Sequence, residues 1–583
     1  MLLRRLKEYA DARLELPPSL YRKKPVRYII DLHPSGTLLN QRPTDTADAS
    51  SRQTRRGVER EAPEVQRAYG IKPLLLADKA DYTLGYVRDR DKPARVAECH
   101  AAFLDLVDRC AETTGEPAVA AIGAFLHDGP LTKLVLPDDF DAGANLTFRV
   151  GEVFPIDLPA VRAFWAAEND PASRAAPIMQ CVVCGQDRPV TERLQAKIKG
   201  VPGGQTTGTS IISANKEAFK SYGLQASLIA PTCADCGERF TRGANALLAS
   251  EASCYRLGGA AFVFWTREAT DFDLLSYFRN PQPEQVRDLV ASVRTGRSVA
   301  EVDGTAFYAT VLSGSGARAV VRDWIDSTVG EVKRHVALWF QRQAIADAFG
   351  DEPRPLGLYA LAAATVRDPQ KELAPPTPRS LLHAALTGRP LPMGLLAQAV
   401  NRVRAEQGVT RPRAALIKLV LLSQPDAKEG DMVQLDPDNP NAAYRCGRLL
   451  AVLEEVQRQA IPGAKATIVD RFFGTASSAP ASVFGRLLRG AQPHLGKLER
   501  DRPGAFRALQ RRLEDIQAGL SGFPRILTLE DQGRFALGYY HQRAFDRAQA
   551  REGAGRRRAG LSLAANDDLT DATLQDSEEK EEN

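Results

Sequence analysis

Cys181-Val-Val-Cys184-Gly185 and Cys233-Ala-Asp-Cys236-Gly237 decide how this chain is read. Two Cys-x2-Cys pairs, each followed by glycine, supply the four thiolates of a closed tetrahedral zinc site. Sulfur fills all four positions and leaves none for water, so the ion is structural. Single Cys→Ser changes are expected to loosen the segment rather than stop a reaction. Glycine after each second cysteine suits a turn closing under the ion, where backbone N–H groups donate to sulfur. The pairs frame the polar run Gly200-Val-Pro-Gly-Gly-Gln-Thr-Thr-Gly-Thr-Ser210. A pinned loop rich in backbone donors and basic residues suits an anion.

Outward from this zinc-ribbon-like insert, placed at 178–240, composition narrows the classes. At 583 residues the chain holds two to four domains. It has eight cysteines, of which Cys99, Cys110, Cys254 and Cys446 are scattered. That is too few for a disulfide scaffold and fits reduced thiols in the cytoplasm. No run of apolar residues is long enough for a membrane span. Met1–Ala10 reads as an amphipathic helix rather than a signal peptide.

The fold class expected is α+β and multidomain. Residues 1–345 read as a mixed α/β domain, with extended runs such as Val26–Asp31, Leu74–Ala77 and Ala260–Trp265 between helical stretches such as Val96–Arg109. Asn40–Pro63 reads as a basic loop carrying Arg42, Arg52, Arg55, Arg56 and Arg60. A Pro-rich linker with connecting helices is expected over 346–431. An all-α bundle follows over 432–560, from stripes such as Leu449, Val452, Leu453, Val456 and Phe506, Leu509, Leu513, Ile516, Leu520. The net charge of +5 hides an asymmetry: residues 432–566 hold 21 Lys/Arg against 13 Asp/Glu. Residues 561–583 read as a disordered acidic tail.

Two enzymatic patterns are weak. His100 followed by His127-Asp128 has the order of a metal-dependent HD phosphohydrolase, but Asp128-Gly129-Pro130 looks like a turn and no helix pattern fixes a distal Asp. Ser313-Gly-Ser-Gly316 lacks the Lys-Ser/Thr of a nucleotide loop and reads as a tight turn. The basic clusters Arg4-Arg5, Arg22-Lys23-Lys24, Arg52 to Arg60, Lys197 with Lys199, and Arg556-Arg-Arg558 point together to nucleic acid.

The chain resembles the large subunit of the type I-C CRISPR Cascade complex, the Csd or Dvulg family. The matching runs are Ile198–Gly204, Gly208–Gly223, Arg318–Trp324, Tyr444–Glu454 and Gln532–Arg543. The resemblance implies a non-catalytic, DNA-binding protein in an RNA-guided antiviral complex. Such a protein recognises the protospacer-adjacent motif in duplex DNA and assists strand separation and R-loop formation. Its helical bundle helps hold the displaced strand. Implied partners are target DNA, the guide RNA, the Cascade backbone, crRNA-processing and small subunits, and a helicase-nuclease that performs cleavage.

Sequence specificity is then delegated to base pairing, so the protein needs a short readout, a positive channel and a wedge. Expected DNA-binding residues are Lys23, Lys24, Asn40, Gln41, Arg52, Arg55, Arg56 and Lys72. The Cys-framed loop adds Gln205, Thr206, Thr207, Asn215, Lys216 and Lys220. The competing classes are an HD phosphohydrolase and a zinc-ribbon transcription regulator. Lys428-Glu429-Gly430 can be encoded by a purine run resembling a bacterial ribosome-binding site, just before Asp431-Met432. An internal start at Met432, one of only four methionines, is expected to yield a separate 152-residue small subunit.

Overall fold

The computed structural model describes residues 1–15, 20–48, 56–65, 70–88, 91–169, 176–194, 196–214, 216–295, 304–427, 430 and 432–578. It divides into two compact units, Met1–Ala249 with Gly314–Val320, and Ser250–Ser313 with Val321–Asn583. The sequence reading had placed the first boundary near 345. The strands between 250 and 328 instead share a hydrophobic core with the helices that follow them.

Unit 1 is built on α1 (Leu2–Arg13), β1 (Tyr21–Leu32), β2 (Thr44–Asp45), β3 (Val58–Pro63), β4 (Ala77–Lys79), α2 (Pro93–Thr114), α3 (Pro117–His127), β5 (Asn145–Val150) and α4 (Pro159–Glu168). The sheet runs β2-β1-β5-β4, and β3 also pairs with β1. β1 lies parallel to β5 and antiparallel to β2 and β3. Tyr28, Ile30 and Leu32 alternate into the core beside Leu146, Phe148 and Val150. Phe103, Leu106, Val107 and Cys110 of α2 and Ile122 and Phe125 of α3 cover that face.

Two strands, Thr44–Asp45 and Val58–Pro63, therefore interrupt the loop expected over Asn40–Pro63. Val58–Pro63 is an edge strand, whose outer face takes polar residues without cost. At the sheet's centre buried Asp31 accepts from Arg149 Nε at 2.7 Å and from Thr44 Oγ1 at 2.6 Å. Three strands are tied by this one carboxylate.

The Cys-framed segment adds the hairpin β6 (Ile178–Gln180) and β7 (Asp187–Pro189), and α5 (Ala234–Ala249). α5 packs on α1 through Gly243, where a Cβ would lie 2.3 Å from Leu6 O. Arg239 of α5 pairs with Asp11 of α1 at 2.8 Å.

Unit 2 opens with the sheet β11-β10-β9-β8, from β8 (Cys254–Leu257), β9 (Ala260–Thr266), β10 (Ala306–Ser315) and β11 (Arg318–Thr328). Gly258 and Gly259, at φ 57° and 74°, make the two-residue turn between β8 and β9. β11 leads into α6 (Val329–Gln343), capped by the Thr328 side chain accepting from Glu331 N. Next come α7 (Pro376–Thr387), α8 (Met393–Glu406) and α9 (Arg411–Ser423), which are core elements rather than a linker.

The last helices are α10 (Ala442–Ala460), α11 (Ile468–Ala476), α12 (Phe484–Asp501), α13 (Pro503–Ala518) and α14 (Leu529–Glu578). No strand follows Thr328 among the described residues. α10 is the hub of this region and packs most closely against α14. Glycines allow it: a Cβ on Gly447 would lie 2.0 Å from Phe535 O, and one on Gly538 would lie 2.1 Å from Tyr444 O. The stretch expected as a tail from 561 continues the α14 backbone to Glu578. It contains no proline and is rich in alanine and leucine, which favours helix continuation. Among the described residues no helix is long and apolar enough to cross a membrane.

Candidate nucleic-acid interface

The sulfurs of Cys181, Cys184, Cys233 and Cys236 lie within 4.8 Å of one another. Tetrahedral zinc with bonds of about 2.3 Å separates its sulfurs by about 3.8 Å, so a small closure of the cluster fits the ion. The first pair sits in the turn of the β6–β7 hairpin, where Cys181 N donates to Gln186 O and Gly185 N to Cys181 O. Gly185 has φ 73°, the left-handed conformation such a turn requires.

The second pair is at the start of α5, which differs from the second hairpin of a ribbon. Gly237 serves packing here, since a Cβ would meet Leu194 Cδ2 at 2.6 Å. Cys233 N donates to Cys181 Sγ at 3.5 Å, the expected backbone support for a thiolate. Hydrogen bonding from Cys236 pulls the Cys233 thiol down to about 5, and Cys236 shifts upward in return. All four cysteines are free and three are buried, with Cys184 at the surface. Four thiols converging from a turn and a helix start are placed to hold a metal ion.

Between the pairs, the glycine-rich run is a packing device before it is a cradle. Ile198 and Thr209 exchange backbone hydrogen bonds at 2.8 and 2.7 Å. Asn245 of α5 accepts from Lys199 N and donates to Lys197 O. Gly203 and Gly204 press against Gly314, where a Cβ would lie 2.1 Å from Gly204 N. Gln205 N and Ser210 N are spent on Gly316 O and Ala317 O. Thus Ser313–Gly316 belongs to a strand end and turn: Gly314 serves close backbone contact, and Gly316, at φ 58°, serves the turn. The loop leaves Gln205, Thr206 and Thr207 exposed at its tip.

Beside it opens a cavity of about 590 Å³, lined by Arg193, Lys197, Ser210, Glu217, Lys220 and Gln225 among others. Lys197 Nζ donates to Ser210 Oγ at 2.6 Å. Burial, then repulsion from Arg193, holds its ammonium below the ordinary lysine value. A half-buried cation shifted this way gains most from an incoming anion. Arg318 stacks on the Phe219 ring at 3.8 Å. Sequence reasoning had counted Lys197 as one basic cluster among several and passed over Arg193, Ser213 and Gln225. Polar residues scattered through an irregular loop carry no periodicity that would gather them.

A CRISPR-associated protein family model, Cas_Csd1, matches residues 3–545. The chain belongs to the Cas_Csd1 family. A search of the curated proteins found no match. Membership supports the large subunit of a Cascade-type CRISPR complex.

The other residues expected to bind DNA in this Cas_Csd1 chain have mixed fates. Lys23 is exposed on β1, facing Glu61 of β3 in register. Lys24 is committed internally, paired with Glu64 and donating to Pro63 O at 2.8 Å, because β3 brings those groups alongside β1. Asn40 is exposed and its side chain reaches Asp31. Gln41, Arg56 and Lys72 are exposed. Lys216 is exposed, while Lys220 pairs with Glu217. Arg52, Arg55 and Asn215 lie outside the described residues.

Arg60, counted in the basic loop, pairs with Asp157 at 2.9 Å and stacks on Phe154. The residues of the phosphohydrolase pattern stand apart. His100 Nδ1 bonds Tyr82 O, His127 Nε2 bonds Asp108, and Asp128 pairs with Lys133. Among the described residues the four cysteines form the cluster of metal-ligating side chains, and neither histidine joins it.

Proposed function

We propose that this protein is the non-catalytic large subunit of a type I-C, RNA-guided Cascade complex. It recognises a protospacer-adjacent motif in duplex DNA, assists strand separation and R-loop formation, and helps recruit a helicase-nuclease. Its bound context is a guide RNA with backbone, crRNA-processing and small subunits, in the cytoplasm. The reading rests on one conjunction: the family match over 3–545, and a Cys-framed loop whose half-buried Lys197 lines a cavity with Arg193 and Lys220, beside Glu192 and Glu217. Zinc suits the four thiols and would pin both ends of that loop. Lys197, Arg193 and Lys220 then serve phosphate, while exposed Gln205, Thr206 and Thr207 serve base edges or sugar. The basic residues of 432–566 support a role for the helical region in holding the displaced strand.

The test is retention of matching duplex by complexes assembled with and without this chain, over a salt series. Omission should abolish capture of the intact duplex. Lys197→Ala should weaken binding to all sequences and lower the salt slope by about one. A base-reading variant behaves differently, costing about 1–3 kcal/mol at one motif position. Equal capture without the chain overturns the reading.

The same proposal extends to a second product. Met432 opens a segment whose helices α10, α12, α13 and α14 pack largely on one another, which supports an independently translated small subunit beginning there.

A further inference from the structure

Ser221-Tyr222-Gly223-Leu224 is a two-residue hairpin turn. Leu224 N donates to Ser221 O at 2.9 Å, and the two residues face each other in an antiparallel bridge. Tyr222 and Gly223 are both left-handed, at φ 52° and 73°. Such turns favour Asn-Gly, and a bulky aromatic at the first position is an outlier. The Tyr222 side chain gives nothing back to the fold: the residue is 98% exposed, against 51% for Phe349 and 48% for Tyr359.

The loop that carries it is closed at its base. Ala214 and Ala226 exchange backbone hydrogen bonds at 3.0 and 3.3 Å, closing the base of the loop. Phe219 lies under the Arg318 guanidinium. The ring therefore stands bare on a loop closed at its base, in a backbone conformation that disfavours it. Strain of that kind concentrates where a side chain must be presented to a ligand.

The surroundings say which ligand. The exposed Lys216 lies in the same loop, and Lys220, paired with Glu217, and Gln225 from either side of the turn line the cavity that holds Lys197, Arg193 and Glu192. An aromatic plate flanked by cations is the arrangement that grips unpaired nucleotides, with bases stacking on the ring and phosphates on the basic groups.

We propose that Tyr222 is a stacking wedge: its ring packs on a nucleobase where the duplex opens, while the Lys197 cavity takes the adjoining phosphate. This rests on the DNA-binding reading above and assigns the strand-parting step to one residue. No covalent step is involved. The stack replaces the base–base stack lost at the open junction.

The experiment uses the whole complex, assembled with the unaltered chain, with Tyr222→Ala or with Tyr222→Trp. Binding is measured on a matching duplex and on the same duplex with mismatches that pre-open the first base pairs. A fluorescent adenine analogue beside the motif reports opening. Tyr222→Ala should lose on the order of tenfold in affinity for the closed duplex and leave the analogue quenched. It should bind the pre-opened duplex within about twofold of the unaltered complex, and Tyr222→Trp should restore opening. Equal opening by Tyr222→Ala overturns the proposal while leaving DNA binding intact. So does loss of the chain from the Tyr222→Ala complex, which would make the ring a protein contact. If the unaltered complex binds no duplex, the broader reading fails instead.

Discussion

Asp31 shows how much one side chain can decide. Burial by itself would raise its carboxyl, but Arg149 and the Thr44 hydroxyl outweigh burial and hold it below the ordinary carboxylate range. A depressed folded value means the folded state binds its proton later than the unfolded chain does. The stabilisation is therefore complete above the ordinary carboxylate range and disappears as pH falls through the lowered value. Unfolding midpoints of the intact chain should fall on acidification below about pH 4, and Asp31→Asn should flatten that part of the profile. Arg149→Met should cost about 2–3 kcal/mol at neutral pH, because a buried carboxylate loses its partner. A variant profile identical to the unaltered one would remove Asp31 from this role.

Elements are where sequence and structure part company, and the reasons are physical. The Cys pairs were legible because metal-ligand spacing is local chemistry. The two runs Tyr444–Glu454 and Gln532–Arg543 were legible too. They face each other as α10 and α14, with Tyr444 Oη on His541 Nδ1 at 2.9 Å and Tyr539 Oη donating to Glu454 at 2.7 Å. Their residue choice is fixed by packing. The Ser313–Gly316 run was less legible, since its need for glycine at 314 comes from Gly203 and Gly204, far back along the chain. Lys24 looked available because its partner Glu64 follows an edge strand with no alternating pattern.

A chelator should expose the difference between pinned and unpinned loop. Stripping metal from the reduced protein should speed tryptic cleavage at Lys197, Lys199, Lys216 and Lys220, while cleavage within the β1–β5 sheet stays slow. Cys236→Ser should mimic it. Unchanged cleavage after metal removal would mean the thiols need no ion to hold the hairpin to α5.

At the scale of the whole molecule, one reading frame is proposed to serve two polypeptides. Replacing the Met432 codon, with the upstream purine run silently recoded, should eliminate a short product of 152 residues and leave the long chain intact. Persistence of that band refutes the start. In the long chain Met432 is buried, 9% exposed, but its backbone is left-handed at φ 41°, a conformation that favours glycine.

The division of the chain into units has a different consequence. Gly314–Val320 is counted with the first unit although both flanking segments belong to the second. A nascent polypeptide leaving the ribosome cannot finish its N-terminal half when residue 249 emerges. It must wait for the turn at Gly316, and until then the edge formed by Gly203 to Ser210 has no strand to receive it. Maturation of the Cys-framed loop is thereby timed by synthesis of the second half, so truncated products released early would lack it.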